Sequence, residues 1–323
     1  MEDAATIARL RADGVDPLVT RALDGHARGK PDSLSALLAE VGKVVELPGT
    51  EARCRCHFVE RDGNGLVQVE RLAERLAEEV VDYCIPRSRI AAARRYMEEW
   101  DSTKEMIALG AEARELFARV TPSGEGGELM LYLLLENLLR LPQLFCKMSV
   151  KTSAQMHVHG VDGVHGRLLD DGTLALYWGE AKLHAAVDSA IDECFGSLAP
   201  YLTGGQTGAA KRDLLLLRDN LDLADPDLEQ ALIGYFDRSD ARSARIEFRG
   251  ACLIGFDLDD YPVPRTPEAD EIAEDVAEAL ARWHQRISGR IAGHSLEAIE
   301  IEVFCVPMPS VAEFRVALLE RLS

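Results

Sequence analysis

The stretch HGVDGVHGRLLDDGTLALYWGEAKLH (159–184) decides the fold. Two apolar runs, VHGRLL and LALYWGEAK, flank a DDGT turn, the pattern of a β-hairpin. The second run closes on Gly179-Glu180-Ala181-Lys182. Residues two apart on an extended strand point to the same side, so Glu180 and Lys182 share one side. Asp162 enters the first strand of the same hairpin. The hairpin thus holds two carboxylates and an ammonium at the end of a largely apolar ribbon.

Working outward, ELMLYLLLENLLR (128–140) reads as an apolar helix with Glu128 in its first turn, where a carboxylate suits the helix dipole. QLFCKMSVKTSAQMHVHG (143–160) reads as strand material. AAVDSAIDECFGSLAPYL (185–202) is an amphipathic helix with Val187, Ile191, Phe195 and Leu198 on one side. TGGQTGAAKR (203–212) is a glycine-rich connector without the GxxxxGK[ST] of a phosphate loop. KRDLLLLRDNLDLADPDLEQALIGYF (211–236) is helical with a break near Pro226. RIEFRGACLIGFD (245–257) and LEAIEIEVFCV (296–306) are strands, PEADEIAEDVAEALARWHQRI (267–287) and SVAEFRVALLERL (310–322) helices. This order builds an α/β fold, a mixed sheet flanked by helices. Upstream, residues 1–45 read as helical, CRCHFVE (54–60) as a short strand, and 66–84 and 87–119 as helices. The division expected is an α-rich region over 1–119, suited to docking a partner, and a second domain over 120–323 with a helical insertion near 203–240.

Composition narrows the function. The 323 residues carry a net charge of −19, which keeps the chain soluble and repels polyanions on average. Acid is concentrated at 268–278, with six acids and no base, whereas Arg140 to Lys182 holds five bases against four acids. PRSRIAAARRYM (86–97) holds four arginines and no acid, read as a solvated helix face. No stretch is long and apolar enough to span a membrane. The start, MEDAATIARLRADGVD, has no signal-peptide pattern, which places the chain in the cytoplasm. Seven scattered cysteines, none in a CxxC pair, read as buried reduced thiols.

Chemically, two carboxylates such as Asp162 and Glu180 suit Mg²⁺, or Mn²⁺, a hard cation that takes oxygen ligands and keeps several waters. A neighbouring lysine can orient water or stabilise charge on a phosphorane. Glu128 reads either as a further contact to the metal or as an ordinary acid at a helix start. Glu136, two turns deeper, is the alternative helix acid. Asp188 and Asp192 read as surface charges, and Trp178 as core. HVHGVDGVH holds His157, His159 and His165 in a rough likeness of a metallohydrolase HxHxDH. That leaves a zinc hydrolase using His157, His159 and Asp162 as the runner-up. The simpler reading has these histidines capping turns or lining a phosphate channel, with His165 nearest DNA.

Asp162, the hairpin and Glu180-Ala181-Lys182 resemble the PD-(D/E)xK nuclease motif, which implies a restriction-endonuclease-like core. The longer strings GELMLYLLLENLLRLPQLFCKM, MHVHGVDGVHG and LYWGEAKLH resemble the HamA family, the nuclease subunit of Hachiman antiphage defence systems. The resemblance covers about 120–200 well and the C-terminal third more loosely. It implies a metal-dependent deoxyribonuclease with Asp162, Glu180, Lys182 and Glu128 as site residues. It also implies a superfamily 2 helicase, HamB, as the partner in a heterodimer. Val161 stands where the motif has proline. The acidic surface then has a use, because it suppresses stray cutting until the helicase delivers DNA. A subunit with an inert nuclease fold that only regulates the helicase is the non-catalytic alternative.

Overall fold

The computed structural model describes residues 23, 25–31, 33–120, 125–148, 161–203, 208–259, 261 and 269–322. The chain forms one mixed sheet flanked by helices. Its strands are β1 (Leu38–Glu40), β2 (Val45–Glu46), β3 (Ala52–Val59), β4 (Gly163–Leu168), β5 (Leu174–His184), β6 (Ile246–Asp257) and β7 (Ile301–Met308). The order across the sheet is β1-β3-β7-β6-β5-β4, with β2 also on β3. The four inner strands run parallel, while β1, β2 and β4 are antiparallel additions at the two edges. Strands buried on both faces read as nearly continuous apolar runs. Leu174–Ala181 and the whole of β7 are of that kind, buried at every position.

Helices α1 (Val69–Glu78), α2 (Val80–Cys84), α3 (Arg87–Trp100) and α4 (Lys104–Val120) precede α5 (Glu125–Leu133), which continues into a π-helical turn at Leu134–Leu138. After the hairpin come α6 (Val187–Thr203), α7 (Gly208–Asp219) and α8 (Pro226–Phe236). Then follow α9 (Ala269–Asp275), α10 (Ala277–Gly293) and α11 (Val311–Leu322). The predicted break at Pro226 is a helix start. Asp225 accepts the Leu228 amide at 3.1 Å and Pro226 takes the first helical position, where its missing N–H costs nothing. The DDGT turn closes as its residues dictate: Gly172 takes a φ of 80° and the Asp171 carboxylate accepts the Thr173 amide at 2.9 Å.

Three expectations need correction. Residues 38–45 of the stretch read as helix hold β1 and the start of β2, which pair antiparallel with β3; residues 1–22 lie outside the described set. Gln143 to Met148, read as strand, contribute a single bridge from Gln143 to His165 and then a helical turn at Lys147 and Met148. The apolar residues of that stretch, Leu144, Phe145, Cys146 and Met148, are buried by the hairpin and helices rather than by a ladder. Third, Arg87 is not solvated. It donates to Glu136 at 2.8 Å and to the His26 carbonyl at 2.7 Å. Its neighbour Arg89 holds Glu112 of α4 through two bonds of 2.6 and 2.7 Å.

The sheet draws strands from both sides of residue 120. Ala52–Cys56 of β3 pairs in parallel with Ile301–Cys305 of β7, and α11 lies against α1. All seven cysteines are buried free thiols. Trp178 is fully buried against Tyr201 and Phe248, as its place on the motif strand predicts. Asp188 and Asp192 are surface acids that pair with Arg286 and Arg290 on α10, tying α6 to that helix. Among the described residues no helix is long and apolar enough to cross a membrane.

Candidate active site

The site begins where one strand stops. Pairing between β4 and β5 ends at Gly163–Gly179, while β5 runs on to His184 with β6 as its neighbour. Among the described residues no strand continues β4 beside Glu180–His184, which leaves a notch at the sheet edge. Asp162, one step past the last pair, fills its upper end. Its own amide donates to the Gly179 carbonyl at 2.7 Å, and its carboxylate accepts the Ala181 amide at 2.9 Å. A side chain thus takes a hydrogen bond that a continuing strand would have made.

Two helices clamp this end of β5. On one face α5 packs close: a Cβ at Gly127 would lie 3.3 Å from that of Ala181, and one at Gly179 would lie 3.2 Å from Leu131. Glycine at both positions lets helix and strand approach. Glu128 follows Gly127 on α5 and is held by the Tyr83 hydroxyl, which donates to it at 2.9 Å. On the other face α6 lies along β5, and the Cys194 thiol meets the Glu180 carbonyl. Glu180 is buried at 4% exposure, and the Lys182 ammonium donates to its Oε1 at 2.6 Å. Lys182 stands at the open end, its side chain 25% exposed.

Lys147 is the residue that sequence reasoning missed. It is 4% exposed, and its ammonium reaches Asp162 Oδ1 at 3.3 Å. The readable signal was its company, one lysine among Phe145, Cys146 and Met148. A fully buried lysine requires an acid partner.

Electrostatics bind these groups into one cluster. Burial, then the Glu128 carboxylate, pushes Asp162 up to about 8, against the opposing pull of Lys147. Burial also raises Glu180 above the usual carboxylate range, against Lys182. Burial works to discharge Lys147, but Glu128 and Asp162 outweigh it and hold the ammonium above its ordinary range. Three carboxylates therefore act on two lysines, and burial is the largest influence on Asp162, ahead of Glu128. Asp162 thus feels Glu128 from the α5 side and Glu180 from the other.

The sign of the pH dependence follows. A carboxyl group raised from 3.8 to about 8 on folding stabilises the fold below its unfolded value and loses that contribution as pH climbs to 8. Without metal ions, the melting temperature of the wild type is expected to fall relative to that of the Asp162→Asn variant between pH 4 and 8. Parallel melting curves for the two proteins across this range would contradict the assignment.

The remaining sequence candidates separate clearly. Glu136 lies in the π-helical turn, fully buried, and accepts from the Arg28 amide at 2.6 Å, the Gln143 amide at 2.8 Å and the Arg87 guanidinium. It is a structural acid. His165, expected nearest DNA, is instead 1% exposed, its Nδ1 2.9 Å from the Leu141 carbonyl, and burial drives it down to about 4. His157 and His159 lie outside the described residues. Among the described residues no three His, Cys, Asp or Glu side chains stand together so as to hold a metal ion. A site built on Asp162 and Glu180 does not need a third, because Mg²⁺ is commonly held by one or two carboxylates with waters and substrate phosphates.

No curated protein matches the chain. A sequence model of the HamA family matches residues 38–322, which takes in β1 to α11 and the whole notch. With nearly its full length covered, the chain belongs to the HamA family.

Proposed function

We propose that this chain is a metal-dependent deoxyribonuclease, the effector of a Hachiman-type antiphage defence complex, and that it works with a superfamily 2 helicase. The observation that carries the proposal is the notch: Asp162 is bound to the Ala181 amide, Glu180 and Lys182 stand on either side of that residue where β4 ends, and the three act on one another electrostatically. Its hard oxygen donors fit Mg²⁺ or Mn²⁺, with Asp162 and Glu180 as the holding residues. Such an ion supplies Lewis acidity toward a phosphodiester oxygen and a lowered pKa for a bound water.

The protein's own residues do the rest. Lys182, anchored on Glu180, presents an ammonium at the open end of the notch, where it orients the attacking water and meets negative charge developing on the phosphoryl oxygens. Water gives up a proton to solvent as its oxygen bonds to phosphorus, one P–O ester bond breaks, and the departing alkoxide takes a proton back from solvent. Glu128, fixed by Tyr83, adds negative potential that favours a cation beside Asp162. The net charge of −19 works against autonomous DNA binding, so grip on the substrate falls to the helicase.

The test is degradation of plasmid DNA with Mg²⁺ by the chain alone and co-purified with the helicase. Degradation by the complex that requires Asp162 and Glu180 is the expected result. An inert complex whose helicase activity still depends on this chain would overturn the enzymatic reading in favour of a regulatory subunit. Stoichiometric bound zinc would overturn it in favour of a zinc hydrolase.

A further inference from the structure

Lys147 is the charged group that the acid–lysine motif leaves unexplained. Removing an ammonium from water is costly and is sustained only where opposite charge answers it. Its chain neighbours Cys146 and Met148 are buried, so a packed turn alone would take an apolar side chain at 147. What answers the charge is the acid cluster: Asp162 Oδ1 at 3.3 Å, with Glu128 and Glu180 also acting on it. The other lysine sits elsewhere, on Glu180 at the exposed end. Lys147 therefore delivers one positive charge, on a flexible stem, to the carboxylate that a divalent cation would need first.

We propose that Lys147 is the resident counter-ion of the carboxylate cluster: it holds Asp162 in the free protein, is displaced when a divalent cation binds, and moves to a phosphate of bound DNA. This deepens the nuclease reading and rests on it. Two like charges cannot share Asp162 in a low-dielectric notch, so cation and ammonium compete. A polyanion that draws the ammonium outward removes the competitor. Cation and DNA then bind with positive coupling, and by linkage each tightens the other equally. The protein alone takes up the ion weakly, which keeps the site idle. Lys147 is thus a positioning residue whose effect reaches the reaction through Asp162.

The test is calorimetric titration of the helicase-bound chain with Mn²⁺, with and without a short DNA duplex, for the wild type, Lys147→Met and Lys147→Gln. The glutamine variant keeps a hydrogen-bond donor for Asp162 without the charge and serves if the methionine variant does not fold. Without DNA, the neutral variants are expected to bind Mn²⁺ about tenfold more tightly or better than wild type. DNA is expected to tighten Mn²⁺ binding to wild type but not to the variants. Equal or weaker Mn²⁺ binding by both variants, or equal tightening by DNA in all three, would overturn the proposal and leave a static ion pair. Failure of the nuclease reading looks different: Asp162→Asn then leaves Mn²⁺ binding unchanged in every background.

Discussion

Lys182→Ala is expected to reduce DNA cleavage by the helicase-bound protein by at least about 10²–10³-fold, the scale for loss of one donor to developing charge. The expectation is specific because the lysine is no part of the core. Its side chain is 25% exposed at the end of β5, and it pairs with Glu180 Oε1 at 2.6 Å. The melting temperature should move little, and calorimetry should still detect Mn²⁺ at Asp162 and Glu180. Lys182→Gln, which keeps a donor for Glu180 but no charge, should be impaired nearly as much. Undiminished cleavage by the alanine variant would remove Lys182 from the mechanism, whatever role the carboxylates keep.

Glu136→Ala is expected to give the largest loss of stability. The carboxylate is fully buried and satisfies the Arg28 amide, the Gln143 amide and the Arg87 guanidinium together. Arg87 is itself largely buried, its side chain 12% exposed, so truncation leaves a charge without its counter-charge. Breaking a buried pair from one side costs about 3–5 kcal/mol. For a chain of this size that lowers the melting temperature by on the order of 10 °C. Arg87→Leu should be similarly damaging, and the double variant should be less destabilised than the sum of the singles. A melting temperature within about a degree of wild type for Glu136→Ala would show that the network carries little energy.

The contrast between Glu136 and Glu128 shows what local sequence carries and what it does not. Both are acids on one apolar helix, eight residues apart, and helical spacing alone cannot say which faces the hairpin. The separation comes from a π-helical turn at Leu134–Leu138, which no periodicity announces, and from Arg28 and Arg87, which arrive from far upstream. The hairpin itself was legible, because alternation and turn chemistry are local: Leu174–His184, the DDGT turn and Asp162 at the mouth all stand as read. The helical stretches were legible for the same reason, though 66–84 and 267–287, each read as one helix, are each two.

Residues whose role depends on distant partners were not. His165 lies in a glycine-rich, polar-looking string, yet the bridge to Gln143 and the Leu141 carbonyl take it into the interior. Lys147 looked like one base among five in a mildly basic stretch, until Asp162 came within 3.3 Å of it. β3 read as an isolated short strand because its partner in the sheet, β7, comes about 250 residues later.

That last pairing bears on when the site can assemble. β3 waits for β7, and β6, which supports Glu180 and Lys182 from one side, is flanked on its far edge by the same late strand. Contacts spanning so much chain form late and slowly. A growing chain on the ribosome can fold its hairpin early but cannot close the sheet around it until residues 301–308 have emerged. The acid–lysine notch therefore gains its rigid support only once β7 is in place, and a chain that stops short of residue 301 cannot build it.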